Sequence, residues 1–183
     1  GVWEPDARLS SHDAQMYTQA FAHAVFEAAL RVPALESVVL RSGIEVYGKN
    51  GHSPQMPTEH QPLEPQSLFG HMLLGLEHKA SELAIARGTT ATLLRLAPVV
   101  GPHVPSPLGR MLRLPAVPFN PIGSARFSVI EDGDAAQAFV SATQHQPHGA
   151  VNVVADGSIS IAQAALLGHR LAIPTIVPGW WAA

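Results

Sequence analysis

The feature that most constrains this chain is the order in which its hydrophobic periods change. A helical pattern beginning at Ser10–Ser11 places Met16, Ala20, Phe21, Ala24, Val25 and Ala28 on one expected apolar face and stops before Pro33. A β-branched run follows, Val38-Val39-Leu40, ending in Ser42 and Gly43. From Ser67, a capping residue, a second helical pattern runs to about Arg87, with Gly88 as its stop. "TTATLLRLAPVVG" then reads as a second buried strand. The order α-β-α-β implies parallel strands joined by right-handed crossovers, with helices covering the sheet. The expected fold class is therefore α/β.

Beyond Gly101 the texture changes. "PHVPSPLGRMLRLPAVPFNPIG" is rich in proline and holds one short amphipathic helix around Leu108 to Leu114. Next come an expected strand from Phe127 to Ile130, a helix from about Asp134 with Ala138 and Phe139 inward, and "AVNVVADG" as a further strand and turn before a capped helix. The polar, proline-rich stretch from Lys49 to Pro65 is expected to be a loop. Residues 1–102 thus form one expected domain, and 103–183 a smaller, irregular lobe whose strands and helices return to the core.

Composition narrows the function classes. With 46% apolar and 14% charged residues among 183, the chain can bury a real core. A net charge of −3 without runs of like charge gives no support to a nucleic-acid or anionic-membrane surface. The absence of cysteine excludes thiolate chemistry and fits a reducing compartment, so the cytoplasm is the expected location. No apolar run approaches the roughly 20 residues that span a bilayer. His145 and His148 share a proline-containing stretch without a carboxylate partner, so no metal site is expected. Glu77 and Lys79 read as a solvated helix face.

In order along the chain, "VVLRSGIEVYG", "TEHQPLEPQSLFGHMLLGLE", "LLRLAPVVGP", "RFSVIEDGDAAQAF" and "AVNVVADG" resemble the later two-thirds of an extended short-chain dehydrogenase. The chain is similar to the NAD-dependent epimerase/dehydratase family, and within it to actinobacterial proteins of the UDP-glucose 4-epimerase type. The resemblance implies the C-terminal portion of a Rossmann-like, doubly wound parallel sheet plus a small substrate lobe. None of the fifteen glycines makes the Gly-x-Gly-x-x-Gly spacing, so the first βαβ phosphate-binding unit is expected to be absent from 1–102. NAD or NADP is implied for a full-length protein, with no strong binding expected of this chain alone. A nucleotide-sugar-like ligand and a homodimer through helices 10–31 and 67–87 are also implied.

The family's chemistry needs a serine or threonine hydroxyl, a tyrosine acid/base and a lysine. A tyrosine, with a reference pKa of about 10, exchanges a proton poorly near neutrality until a cation assists it. The resemblance places Gly43, Phe69 and Leu73 at these three positions. The expected protein is therefore a catalytically degenerate, binding, regulatory or structural homologue. The alternative is an active UDP-sugar 4-epimerase/dehydratase, or a related NAD(P)-dependent oxidoreductase, in full-length form. By position, Ser42, Pro98 and Val99 are the cofactor-contact candidates, and Tyr47 and Arg126 the substrate-contact candidates.

Overall fold

The computed structural model describes residues 11–48, 57–104, 106–121 and 126–175. The chain divides into two compact units, one reaching Leu96 and including Gln137–Asn152, the other holding Ala97–Ala136 and the residues from Val153 onward.

The first unit is built on three strands, β1 (Ser37–Gly43), β2 (Thr90–Leu96) and β7 (Gly149–Val153), in the order β1-β2-β7. β1 and β2 run parallel, in register from Ser37 opposite Thr90 to Gly43 opposite Leu96. Every β2 residue after Thr90 is buried, as expected of a strand covered on both faces. Helix α1 (Ser11–Ala29) precedes β1, and α2 (Leu68–Arg87) crosses between β1 and β2. Ser67 caps α2 by accepting the Gly70 N–H at 2.9 Å. Gly88 ends it in the left-handed conformation at φ 62°, where glycine avoids the steric cost of a Cβ.

Two apolar clusters anchor this unit. Ala80 and Ala84 of α2 meet Ala91 and Leu93 of β2, with Phe26, Val38, Leu40 and Ala150 around them. Nearer the C-terminal end of β1, Val46, Tyr47, Met72 and Leu73 form a second cluster against Ile44, Leu63, Phe69 and Leu74.

The structure corrects the face expected of α1. Met16, Ala20, Phe21, Ala24, Val25 and Ala28 are exposed, while the half-buried stripe is Thr18, Ala22, Phe26 and Ala29. Apolar residues occur on both sides of this helix, so periodicity alone selects the wrong stripe.

In the second unit the expected strand "TTATLLRLAPVVG" breaks at Ala97-Pro98, and β3 (Val99–Val100) pairs in parallel with β6 (Ile130–Glu131). The expected strand from Phe127 to Ile130 is likewise divided between β6 and β5 (Arg126–Phe127), which runs antiparallel to β8 (Ile159–Ser160). Helix α3 (Pro107–Leu112) lies where a short helix is expected. Helix α4 (Asp132–His145), whose residues from Gln137 onward belong to the first unit, starts two residues before Asp134, with Ala135 and Ala142 buried and Ala138 and Phe139 half-buried. Strand β4 (Ala116–Phe119) runs parallel to β9 (Leu171–Pro174), and α5 (Ile161–Leu167), closed by a capping box between Ser160 and Gln163, packs on both.

Candidate functional site

Ligands of parallel α/β sheets gather at the carboxyl ends of strands. In the first unit that end is formed by Ser42 and Gly43 of β1, the single 3-10 turn Ile44–Tyr47, and the start of α2. The sequence folds tightly here for steric reasons. A side chain on Gly70 would approach the Glu45 carbonyl to 2.7 Å, and Gly48, at φ 71°, lies against the Glu64 backbone. Glycines at both places let the turn and the helix N-terminus meet.

Gly43 and Leu73 are brought together, since a Cβ on Gly43 would lie 3.2 Å from Leu73 Cδ1. Leu73 is 2% exposed and belongs to the apolar cluster on which Phe69 packs. These positions therefore form wall and core, with no hydroxyl, phenol or ammonium among the three.

One ionisable group does reach this place. A Cβ on Gly43 would collide with Glu45 Oε2, so the Glu45 carboxylate lies in the space a side chain at 43 would take. It has no side-chain hydrogen-bond or ion-pair partner among the described residues and is half-buried. The sequence pattern does not single it out, because its only mark is an acidic residue in a turn two positions after the glycine.

Behind the turn lies a buried polar network. Ser42, fully buried, donates to Glu77 Oε1 at 2.5 Å. Arg95 of β2 grips Glu77 with two bonds, Nε to Oε1 at 3.0 Å and Nη2 to Oε2 at 2.7 Å. Its Nη1 donates at 2.8 Å to the Tyr47 hydroxyl, which donates in turn to Asn152 Oδ1 at 2.7 Å. Burial works against the Arg95 cation, but hydrogen bonds to Glu77 and Tyr47 outweigh it and hold its pKa above the ordinary arginine value. Glu77 is thus not part of a solvated face, being 2% exposed, whereas Lys79 is exposed. Ser42 and Tyr47, the cofactor and substrate candidates of this unit, both have their hydroxyls engaged in the network.

The remaining candidates belong to the second unit. Pro98 presents its carbonyl to the Ile130 N–H, and Val99 is half-buried in β3. Arg126 is exposed and held by Ser158, through both its hydroxyl and its carbonyl, and by Gln163. An open groove in this unit is lined by Val100, Gly101, Pro102, Gly109, Leu112 and Arg113. Beside it, the Asp132 carboxyl is held below its ordinary range by hydrogen bonding with Glu131, then by the His103 backbone N–H and ring. Among the described residues no group of three His, Asp or Glu stands where it would hold a metal ion, and no helix is long and apolar enough to cross a membrane.

Residues 5–155 match the profile of the NAD-dependent epimerase/dehydratase family. The chain belongs to that family. Uncharacterized proteins of Mycobacterium tuberculosis and Mycobacterium bovis are 32% identical over 161 residues, covering 86% of this chain. The chain spans only 43% of their length. Among solved structures, UDP-N-acetylglucosamine 4-epimerase from Methanobrevibacter ruminantium, in complex with UDP-N-acetylmuramic acid, superposes with a TM-score of 0.77 at 18% identity, covering 97% of this chain and 63% of that one. UDP-glucose 4-epimerase from Thermotoga maritima, with UDP-glucose, gives 0.74 at 18% identity, covering 91% and 59%. UDP-glucuronic acid 4-epimerase from Bacillus cereus, with UDP-glucuronic acid and NAD, gives 0.70 at 16% identity, covering 85% and 52%. At these identities the likeness is one of fold: a Rossmann-like α/β arrangement with parallel strands.

Proposed function

We propose that this protein is a nucleotide-sugar-binding member of its family that has lost the family's proton-relay chemistry and acts as a binding, regulatory or structural homologue. The observation that carries this reading is the burial of Leu73 in an apolar cluster beside Gly43 and Phe69. A buried leucine supplies no cation, a phenylalanine no proton, and a glycine no hydroxyl. These residues do not fit NAD as a working redox partner. The expected ligand is a UDP-sugar, from the named ligands of the structural neighbours.

Binding is further expected to need more polypeptide than this chain. Residues 1–102 read as a Rossmann-like domain without its first βαβ unit, with 103–183 as a substrate-lobe region whose strands and helices return to the core. β1 is the outermost strand of β1-β2-β7, and its residues up to Leu40 are only half-buried, which suits the addition of a further strand. The test uses the full-length protein with NAD and UDP-glucose, followed by calorimetry and at the NADH absorbance band. Measurable binding without reduction supports the reading; a transient NADH band overturns it.

A second reading, an active UDP-sugar 4-epimerase/dehydratase or related NAD(P)-dependent oxidoreductase in full-length form, is favoured by one observation. Glu45 brings a carboxylate able to exchange a proton to the space beside Gly43. Turnover abolished by Glu45→Gln is its expected signature.

The exposed α1 stripe of Met16, Tyr17, Phe21 and Val25 supports a homodimer through helices 10–31 and 67–87. Sedimentation of the chain at tens of micromolar tests it, and a monomer there removes it.

A further inference from the structure

We propose that Glu59 is an acid-operated clasp: its carboxylate closes the open edge of β7 at Asn152, holds the Pro57–Glu59 stretch against the buried network, and lets both go when protonated. The reasoning starts from strand geometry. Successive peptide groups of a strand point to opposite sides within the plane of the sheet. The Val153 carbonyl accepts the Ala97 N–H, from the residue that follows β2, so the Asn152 N–H is directed the other way. β7 is the outermost strand in the order β1-β2-β7, and no neighbouring strand meets that donor among the described residues.

Glu59 meets it instead, with Oε1 at 2.9 Å from the Asn152 nitrogen. Asn152 returns the contact, its Nδ2 donating to the Pro57 carbonyl at 2.8 Å while its Oδ1 accepts from Tyr47. Arg95 Nη1, already bonded to the Tyr47 hydroxyl, reaches the Glu59 carbonyl at 3.4 Å and closes the ring. A charged acceptor strengthens an N–H bond, and a charge on a strand edge discourages pairing with another chain. Along the chain the Pro57–Glu59 stretch falls between the turn carrying Glu45 and the helix carrying Phe69 and Leu73, and Arg95 ties it to Tyr47 of that turn. The clasp therefore sets how firmly that end of the unit is held.

The groups facing Glu59 favour its ionised form. His60 lies beside it and Arg95 reaches it from β2, with Tyr47 on the 3-10 turn and Glu77 on α2 beyond the guanidinium. The Asn152 N–H, first, and Glu59's own backbone N–H hold the carboxyl below the ordinary glutamate range. A carboxyl lowered on folding stabilises the closed form at pH values above its unfolded pKa, and that contribution is lost as pH falls through the lowered value.

The test is NMR and limited proteolysis of the 183-residue chain from neutral pH downward, for wild type, Glu59→Gln and Glu59→Ala. In wild type the Asn152 amide proton is expected to move upfield as Glu59 is protonated, with cleavage between Pro57 and Gln61 rising over the same range. In Glu59→Gln that amide shift is flat and cleavage is already raised at pH 7; Glu59→Ala raises it further. A wild-type Asn152 shift that does not change with pH, or one that titrates identically in Glu59→Gln, overturns the proposal. If the chain unfolds before Glu59 titrates, neutral pH decides, because cleavage of Glu59→Gln at the wild-type rate then overturns it.

Discussion

Helices α1 and α2 are nearly equal in length, 19 and 20 residues, yet they are held in different ways. α2 buries eight residues, including Leu83, Ala80 and the charged Glu77, where it packs on β1, β2, the 3-10 turn and α1. No α1 residue from Met16 onward is fully buried, and its large apolar side chains Met16, Tyr17, Phe21 and Val25 face outward. The difference teaches that helical period and apolar content do not by themselves say what a helix is for. α2 is fixed by what it covers, including one buried ion pair, while α1 keeps an apolar surface to spare.

Substitutions can break or sharpen this contrast. The largest effect is expected at Glu77: Glu77→Ala leaves the Arg95 guanidinium buried and unpaired, and such losses typically cost about 3–5 kcal/mol. Urea unfolding should show it as a marked fall in midpoint, while Glu82→Ala on the exposed face of the same helix shifts stability by less than about 0.5 kcal/mol. Next comes Leu83→Ala, which empties a buried site for about 2–5 kcal/mol, against a near-neutral Val25→Ala on α1. A large loss at Val25 in dilute protein would show that α1 is covered within the monomer. Gly88→Ala should cost about 1–2 kcal/mol, since its φ of 62° puts a Cβ in the left-handed region, and thermal melting reads this directly. The smallest and most telling effect is on concentration dependence. If α1 is a homodimer face, the wild-type melting temperature rises with protein concentration, and Phe21→Asp flattens that rise.

Much of the architecture was legible because local signals agreed with one another. Ser67 before an apolar run and Gly88 after it mark both ends of α2, and the alternation of periods implies parallel strands. Phe69 and Leu73, placed by the resemblance at the tyrosine and lysine positions, belong to the apolar cluster that the turn and α2 share. Other features were not legible. The covered stripe of α1 escapes the sequence because apolar residues surround that helix and only its neighbours decide which side is covered. Glu77 read as solvated because its partner, Arg95, is 18 residues away on the following strand, and no local spacing announces a contact made by a crossover. The two-residue strands β3, β5 and β6 are too short to leave a period, so continuous runs were expected where the chain breaks at Pro98 and around Ser128-Val129. Glu45 is the most informative omission, because only the folded turn brings its carboxylate over Gly43.

That last arrangement constrains the routes by which such a cleft can change. A Cβ at position 43 would meet Glu45 Oε2, the far end of a flexible side chain without a partner among the described residues, so Gly43→Ser is expected to be absorbed by a swing of Glu45, with the 3.2 Å approach to the Leu73 methyl as the tighter limit. Paired with Glu45→Ala, the same replacement loses its nearest contact and keeps the approach to the Leu73 methyl, and the two changes together should cost less than the sum of each alone. A hydroxyl regained here would therefore depend on the rotamer of residue 45 and on how far the Leu73 methyl can give, so the turn and the helix together set what position 43 can carry.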